Sequence, residues 1–111
     1  CNHVLEHIPD DKKAMQELYR VLKKGGFVIF QIPQDLSRDK TFEDDSITNK
    51  KERTKIFGQY DHVRVYGKDY FNKLREVGFN VEAINYSQKL TKENVERFAL
   101  MPDELLPVCY K

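Results

Sequence analysis

The chain has 111 residues, enough for one domain or part of one. Its 19 basic and 18 acidic residues leave a net charge of +1, which gives no electrostatic basis for binding nucleic acid or an anionic membrane. No apolar run approaches the roughly 20 residues of a membrane span, no signal-peptide pattern is present, and two cysteines make no disulfide framework. We therefore expect a cytoplasmic protein.

The first third of the sequence is typical of half of a β-α-β unit. Pro9 and the two aspartates after it predict a helix start, and Gly25 predicts its end. The helix itself is predicted by an apolar stripe, namely Ala14, Leu18, Val21 and Leu22. Residues 27–32 are almost continuously apolar and predict a central strand buried on both faces. Residues 1–7 would then lie at the carboxyl end of a strand, where open α/β sheets bind ligands.

Residues 34–60 differ in composition from the segments on either side. Charged residues, serine and threonine dominate, and large apolar residues are few. Loops of this length are usually lids, binding loops or disordered segments. We predict a long loop or lid with a short helix around Asn49 to Phe57, and a solvated insertion is the alternative.

The last third of the sequence predicts a helix, a strand, a short helix and a final strand. The first helix ends at Gly78, residues 80–87 alternate as an edge strand does, and Thr91 can cap the short helix. Residues 106–110 form the final strand. No full crossover helix joins the last two strands, so we expect them to be antiparallel. The fold class is α/β, with one partial domain over residues 1–111.

Four motifs carry a family resemblance, and they stand in the family's order. Residues 3–11 read HVLEHIPDD, residues 17–26 read ELYRVLKKGG, residues 57–67 read FGQYDHVRVYG, and residues 106–111 read as a closing strand. The chain resembles the C-terminal half of class I S-adenosylmethionine-dependent methyltransferases. The resemblance implies a Rossmann-like sheet running from the end of strand four to strand seven.

That resemblance implies methyl transfer from S-adenosylmethionine to a small molecule. It places Asn2, His3 and Leu5 beside the methionine part of the cofactor, with backbone carbonyls facing the ammonium group. The alternative is that Val4 and Leu5 only pack under the following helix.

The glycine-rich turn and the acidic residue that hold this cofactor in the family do not occur in these residues. The resemblance therefore implies a fragment that is inactive alone and needs the cofactor site of the full-length protein. An exposed sheet edge would favour self-association. A non-enzymatic association module is the corresponding alternative.

A second polar cluster surrounds His62. Histidine is a suitable general base near neutral pH, and we predict His62 as the catalytic residue. Arg64 could bind an anionic group of the substrate, and Tyr60 and Tyr66 could form the walls of its pocket. The alternative is a structural clasp that ties the long loop to the sheet.

His3, Glu6 and His7 spell H-x-x-E-H, a zinc-hydrolase pattern. That chemistry requires both histidines on one face of a continuous helix. Pro9 follows too soon for such a helix, so a metal-dependent hydrolase is the less favoured alternative. We predict no metal site, and whether these three residues hold an ion stays open.

Overall fold

The computed structural model describes all 111 residues as a mixed α/β structure. Short 3-10 helices occupy Leu5–His7 and Ser87–Lys89. The α-helices are α1 (Asp11–Val21), α2 (Lys50–Phe57), α3 (Tyr70–Val77) and α4 (Lys92–Arg97). The strands are β1 (Phe27–Ile29), β2 (Phe42–Glu43), β3 (Arg64–Val65), β4 (Asn80–Ile84) and β5 (Leu106–Tyr110). No helix is long and apolar enough to cross a membrane.

The helices begin and end at the residues that local chemistry favours. The side chains of Asp10, Asn49 and Thr91 each accept hydrogen bonds from free amides in the first turn of the helix that follows. Gly78 ends α3 at φ 117°, a left-handed conformation that glycine adopts without steric cost. The predicted helices are thus confirmed, although α1 ends at Val21, before the turn at Gly25.

The main sheet has the order β1-β5-β4, and both of its pairings are antiparallel. The prediction that the last two strands are antiparallel is therefore confirmed, and β4 lies at an edge as expected. Parallel pairing is limited to isolated bridges such as Asn2 with Gln31. Helices α1 and α3 contact each other, and their apolar side chains share one core with the inner face of this sheet.

The prediction that residues 27–32 form a strand buried on both faces is wrong in this chain. Strand β1 covers only Phe27–Ile29, and the side chains of Phe27 and Ile29 are 60% and 39% exposed. Val28 and Phe30 point the other way and pack in the core. The reason is that α1 and α3 cover one face of the sheet, while no element of this chain covers the outer face.

The segment 34–60 is tied to the rest of the chain at several points. Strand β2 pairs with β3, and α2 fills the predicted helical stretch. Thr41 donates from both its backbone amide and its hydroxyl to the carboxylate of Asp69, each at 2.8 Å. Whether this segment acts as a lid stays a prediction.

Cys109 lies in the core on β5 and has no exposed surface. Burial raises the pKa of its thiol to about 12, so the reactive thiolate is scarce at neutral pH. We expect a thiol reagent at pH 8 to label Cys1 alone in the folded protein and both cysteines after unfolding. Rapid labelling of two thiols in the folded state would contradict the packing of β5.

Candidate functional site

The side chain of Arg64 fixes the turn that precedes α1. Arg64 lies on β3 and is only 3% exposed. Its Nη1 donates to the carbonyls of Leu5 (2.7 Å) and Ile8, and its Nη2 donates to the carbonyl of Pro9 at 2.7 Å. A guanidinium has enough donors to satisfy several carbonyls at once. One residue thus holds the whole 5–9 turn against β3.

Acidic groups balance the buried charge of Arg64. Its Nε donates to Glu43 at 2.9 Å and lies 3.6 Å from Asp11, which also accepts from the Tyr66 hydroxyl at 2.7 Å. Burial acts to lower the pKa of Arg64, but Glu43 and Asp11 outweigh it and raise that pKa. Burial and Asp11 raise the pKa of Tyr66. The network therefore keeps a charged guanidinium and a neutral phenol.

Two of the three predicted substrate residues face inward. The Tyr66 side chain is fully buried, and the donors of Arg64 are bound within the chain. Tyr60 is different, because it is 52% exposed with the Lys50 ammonium 5.5 Å from its ring centroid. In this conformation Arg64 and Tyr66 form the structural clasp, and substrate binding by any of the three stays a prediction.

The loop after α2 brings His62 to the turn before α1. Gly58 reverses the chain at φ 88°, and the backbone amide of Val63 donates to the carbonyl of Glu6 at 2.9 Å. His62 then lies edge-on to His7, with ring centroids 4.7 Å apart. Residues from two distant parts of the sequence therefore converge on one point.

Glu6, His7 and His62, which we call the Glu6 cluster, have the geometry of a small polar site. The Glu6 carboxylate is 1% exposed, and neither of its oxygens has a hydrogen-bond partner. His7 Nε2 lies 3.8 Å from Glu6 Oε1, and one ligand atom of each residue lies within 4.8 Å of the others. A buried carboxylate that makes no hydrogen bond, with only the imidazoles of His3 (3.4 Å) and His7 (3.8 Å) near it, is costly, so it marks a functional candidate.

Both histidines of the Glu6 cluster are oriented by contacts on their outer nitrogens. His7 Nδ1 lies 3.3 Å from the carboxylate of Asp61, and His62 Nδ1 lies 3.2 Å from the carbonyl of Phe57. Partial desolvation acts to raise the pKa of Asp61, but a hydrogen bond from Gln59 and the nearby histidines lower it overall. Each Nδ1 therefore lies near an oxygen, and a tautomer with its proton on Nδ1 would leave Nε2 with the free lone pair.

The structure lacks the continuous helix that the hydrolase alternative requires. Leu5–His7 is a single 3-10 turn, and His3 precedes it with a left-handed φ of 50°. The imidazole of His3 lies 3.4 Å from Glu6 Oε1, but His3 and His7 do not share a face of a continuous helix. The H-x-x-E-H arrangement of a zinc hydrolase is therefore absent.

The predicted cofactor residues divide into two groups. Asn2 and His3 are exposed beside Gln31, and their carbonyls accept no hydrogen bond within the chain, so both carbonyls are free, and their contact with a cofactor stays a prediction. Leu5 differs from these two residues, because its side chain is fully buried and its carbonyl accepts a hydrogen bond from Arg64. The side chain of Leu5 thus packs in the core, as the alternative expected, whereas Val4 is 41% exposed, and whether Leu5 also contacts the cofactor stays a prediction.

Sequence reasoning grouped His3, Glu6 and His7 but missed that His62 joins Glu6 and His7. The two histidines and the carboxylate can hold a divalent cation or relay a proton. The signal available in the sequence was the adjacency of Glu6 and His7 just after a predicted strand end. The burial of Glu6 is known only from the structure. His62 lies on a loop far away in the sequence, and no pattern near Glu6 or His7 indicates that it joins them.

Comparison with known proteins shows to which family the chain belongs. A family model described as methyltransferase domain matches residues 1–93. Arsenite methyltransferase of Mus musculus is 26% identical over 109 residues, which cover 92% of this chain and 25% of that protein. The chain thus spans about a quarter of the length of this curated relative, and no solved structure matches it significantly. With most of its length matched by the family model, the chain belongs to the class I S-adenosylmethionine-dependent methyltransferase family.

Proposed function

We propose that this chain is the C-terminal half of a Rossmann-like methyltransferase domain that transfers a methyl group from S-adenosylmethionine to a small molecule. The observation that carries the proposal is the parallel bridge between Asn2 and Gln31. It sets Asn2 and His3 beside the carboxyl end of β1, the edge at which open α/β sheets bind ligands. The family match over residues 1–93 supports the same assignment.

The proposed roles of the residues follow from which backbone carbonyls accept no hydrogen bond within the chain. S-adenosylmethionine supplies an electrophilic methyl group on a sulfonium. The carbonyls of Asn2 and His3 would hold the ammonium of its methionine part, which orients the cofactor rather than activating it. Arg64 holds the 5–9 turn that follows directly, and Tyr66 donates to Asp11 after it, so these residues would support the position of the carbonyls without contacting the cofactor.

The proposed acceptor is a small molecule rather than a macromolecule. The relative named above acts on arsenite, which is a small acceptor. The near-zero net charge of this chain provides no field for attracting nucleic acid. The polar groups at this edge, His62, Asp61 and the exposed ring of Tyr60, would face such an acceptor.

We propose that these 111 residues do not bind the cofactor tightly by themselves. A glycine-rich turn and an acidic strand end, which supply close backbone approach and ribose hydrogen bonds, do not occur in them. The exposed outer face of β1 and the sheet edges would favour self-association instead. Calorimetry with S-adenosylhomocysteine, with light scattering on the same sample, tests this. Micromolar binding by a monomer would contradict it.

A matched pair of variants at His3 tests the cofactor contact in the natural protein that contains these residues. His3 has a left-handed φ of 50°, which glycine adopts freely and a β-branched residue resists. We expect His3→Gly to keep S-adenosylhomocysteine affinity and His3→Val to weaken it roughly tenfold, because the contact is made by the backbone. Equal affinities for the two variants would contradict a backbone contact at this position.

A further inference from the structure

We propose that the Glu6 cluster binds a divalent transition-metal ion of the zinc type through Glu6, His7 and His62. The inference goes beyond the proposed methyl transfer and does not depend on it. It rests on a buried carboxylate that makes no hydrogen bond and on two histidines that each bring a ring nitrogen within 4.8 Å of the other ligand atoms. No other group of three such side chains in the chain is this close.

The ligand atoms of Glu6, His7 and His62 are already close to the separations that a bound metal ion requires. Zinc binds nitrogen and oxygen at about 2.0–2.2 Å, so two ligand atoms on one ion lie about 3 to 4 Å apart. Glu6 Oε1 and His7 Nε2 are already 3.8 Å apart, and the three ligand atoms lie within 4.8 Å of one another. Movement of the side chains by less than about 1 Å would close the site around an ion.

The groups behind the histidines are those that metal sites use. A ligating histidine generally donates its other ring N–H to a carboxylate or a backbone carbonyl, which fixes its tautomer and orientation. His7 has Asp61 in that position, and His62 has the carbonyl of Phe57. Both contacts favour the tautomer in which Nε2 is the ligand atom.

The donor set selects the class of metal. Two imidazoles with one carboxylate suit zinc, cobalt, iron or manganese, whereas magnesium and calcium prefer oxygen ligands alone. His7 and His62 are half-buried, so the ion would keep open positions on the solvent side. Such positions could take an oxygen or nitrogen of a small acceptor.

This assignment replaces the general-base role predicted for His62. A nitrogen lone pair that binds a metal cannot also accept a proton from the substrate. His62 Nδ1 already faces the carbonyl of Phe57, so the residue has only one nitrogen for either task. Metal binding in the absence of cofactor and substrate therefore distinguishes the two roles.

The test is a cobalt titration of the full chain, followed by visible absorption and by displacement with zinc. Cys1 is exposed and its thiol could bind cobalt adventitiously, so the titration uses a Cys1→Ser background, and His3→Ala, which removes the imidazole 3.4 Å from Glu6 Oε1, is titrated as a separate variant that should keep the site. We expect one equivalent of cobalt with a d–d spectrum, displaced by zinc and not by magnesium. Glu6→Gln and His62→Ala should each weaken binding by at least tenfold, and Asp61→Asn by about 10- to 100-fold.

The control is Glu76→Gln, which removes an exposed carboxylate on α3 outside the Glu6 cluster and should leave binding unchanged. Circular dichroism confirms that each variant is folded. Absence of stoichiometric binding would overturn the proposal, and so would binding that Glu6→Gln and His62→Ala both leave unchanged. A failed titration would leave the methyltransferase assignment intact, since the cofactor contacts involve Asn2 and His3 instead.

Discussion

Replacing Arg64 with methionine is expected to lower the free energy of unfolding by about 3 kcal/mol, because three carbonyls of the turn lose a charged donor and the nearby carboxylates lose their counter-charge. Methionine fills much of the same volume, so the loss reports hydrogen bonds and charge rather than a cavity. The carbonyl of Leu5 would keep its hydrogen bond from the backbone amide of Ile8 at 3.2 Å, whereas those of Ile8 and Pro9 would lose the donor that they have. Thermal unfolding should shift downwards by roughly 10 to 20 °C.

The matched control for Arg64→Met is Arg20→Met on the surface of α1. Arg20 also contacts a carboxylate, Glu17, at 2.9 Å, but its side chain is 68% exposed. An exposed ion pair of this kind contributes little, so stability should change by less than about 0.5 kcal/mol. Equal effects of the two substitutions would show that the buried contacts of Arg64 do not stabilise the turn. Arg64→Lys should fall between them, since one ammonium cannot reach three carbonyls.

The helices of this chain could be predicted because their determinants are local. Asp10, Asn49 and Thr91 each accept hydrogen bonds from the first turn that they precede, and Gly78 ends α3 where a left-handed residue is needed. Strand β5 could be placed as well, since a short apolar run after the last helix has few other possible structures. Such signals lie within a few residues of the element that they specify.

Other features depend on residues far apart in the sequence. The apolar run at Phe27 is compatible with a strand buried on one face or on two, and only the position of α1 and α3 decides between them. Arg64 was predicted to bind an anionic group of the substrate, because backbone carbonyls as its partners leave no pattern of side chains in the sequence. The approach of His62 to Glu6 depends on the turn at Gly58 and on the amide of Val63, which periodicity does not reveal.

Replacing Glu6 with glutamine is expected to raise the stability of chelator-treated protein by about 1 kcal/mol. The substitution keeps the size of the side chain and removes a buried charge that has no hydrogen-bond partner. Most substitutions of buried residues destabilise a protein, so an increase would single out Glu6 as a residue retained at a cost to folding. Chemical denaturation of the two proteins after chelation measures the difference.

Saturating zinc should reverse the order of stability. An ion that binds only the folded state stabilises it by about 2.7 kcal/mol at 100 times its dissociation constant, and the variant without the Glu6 carboxylate would lose most of that gain. The parent protein should therefore become the more stable of the two, while Glu76→Gln should follow the parent under both conditions. If Glu6→Gln destabilises the chelator-treated protein and zinc changes nothing, Glu6 is a structural residue whose partners are His3 and His7. A reversal of sign cannot come from packing, because chelation and zinc addition leave the covalent structure of both proteins unchanged.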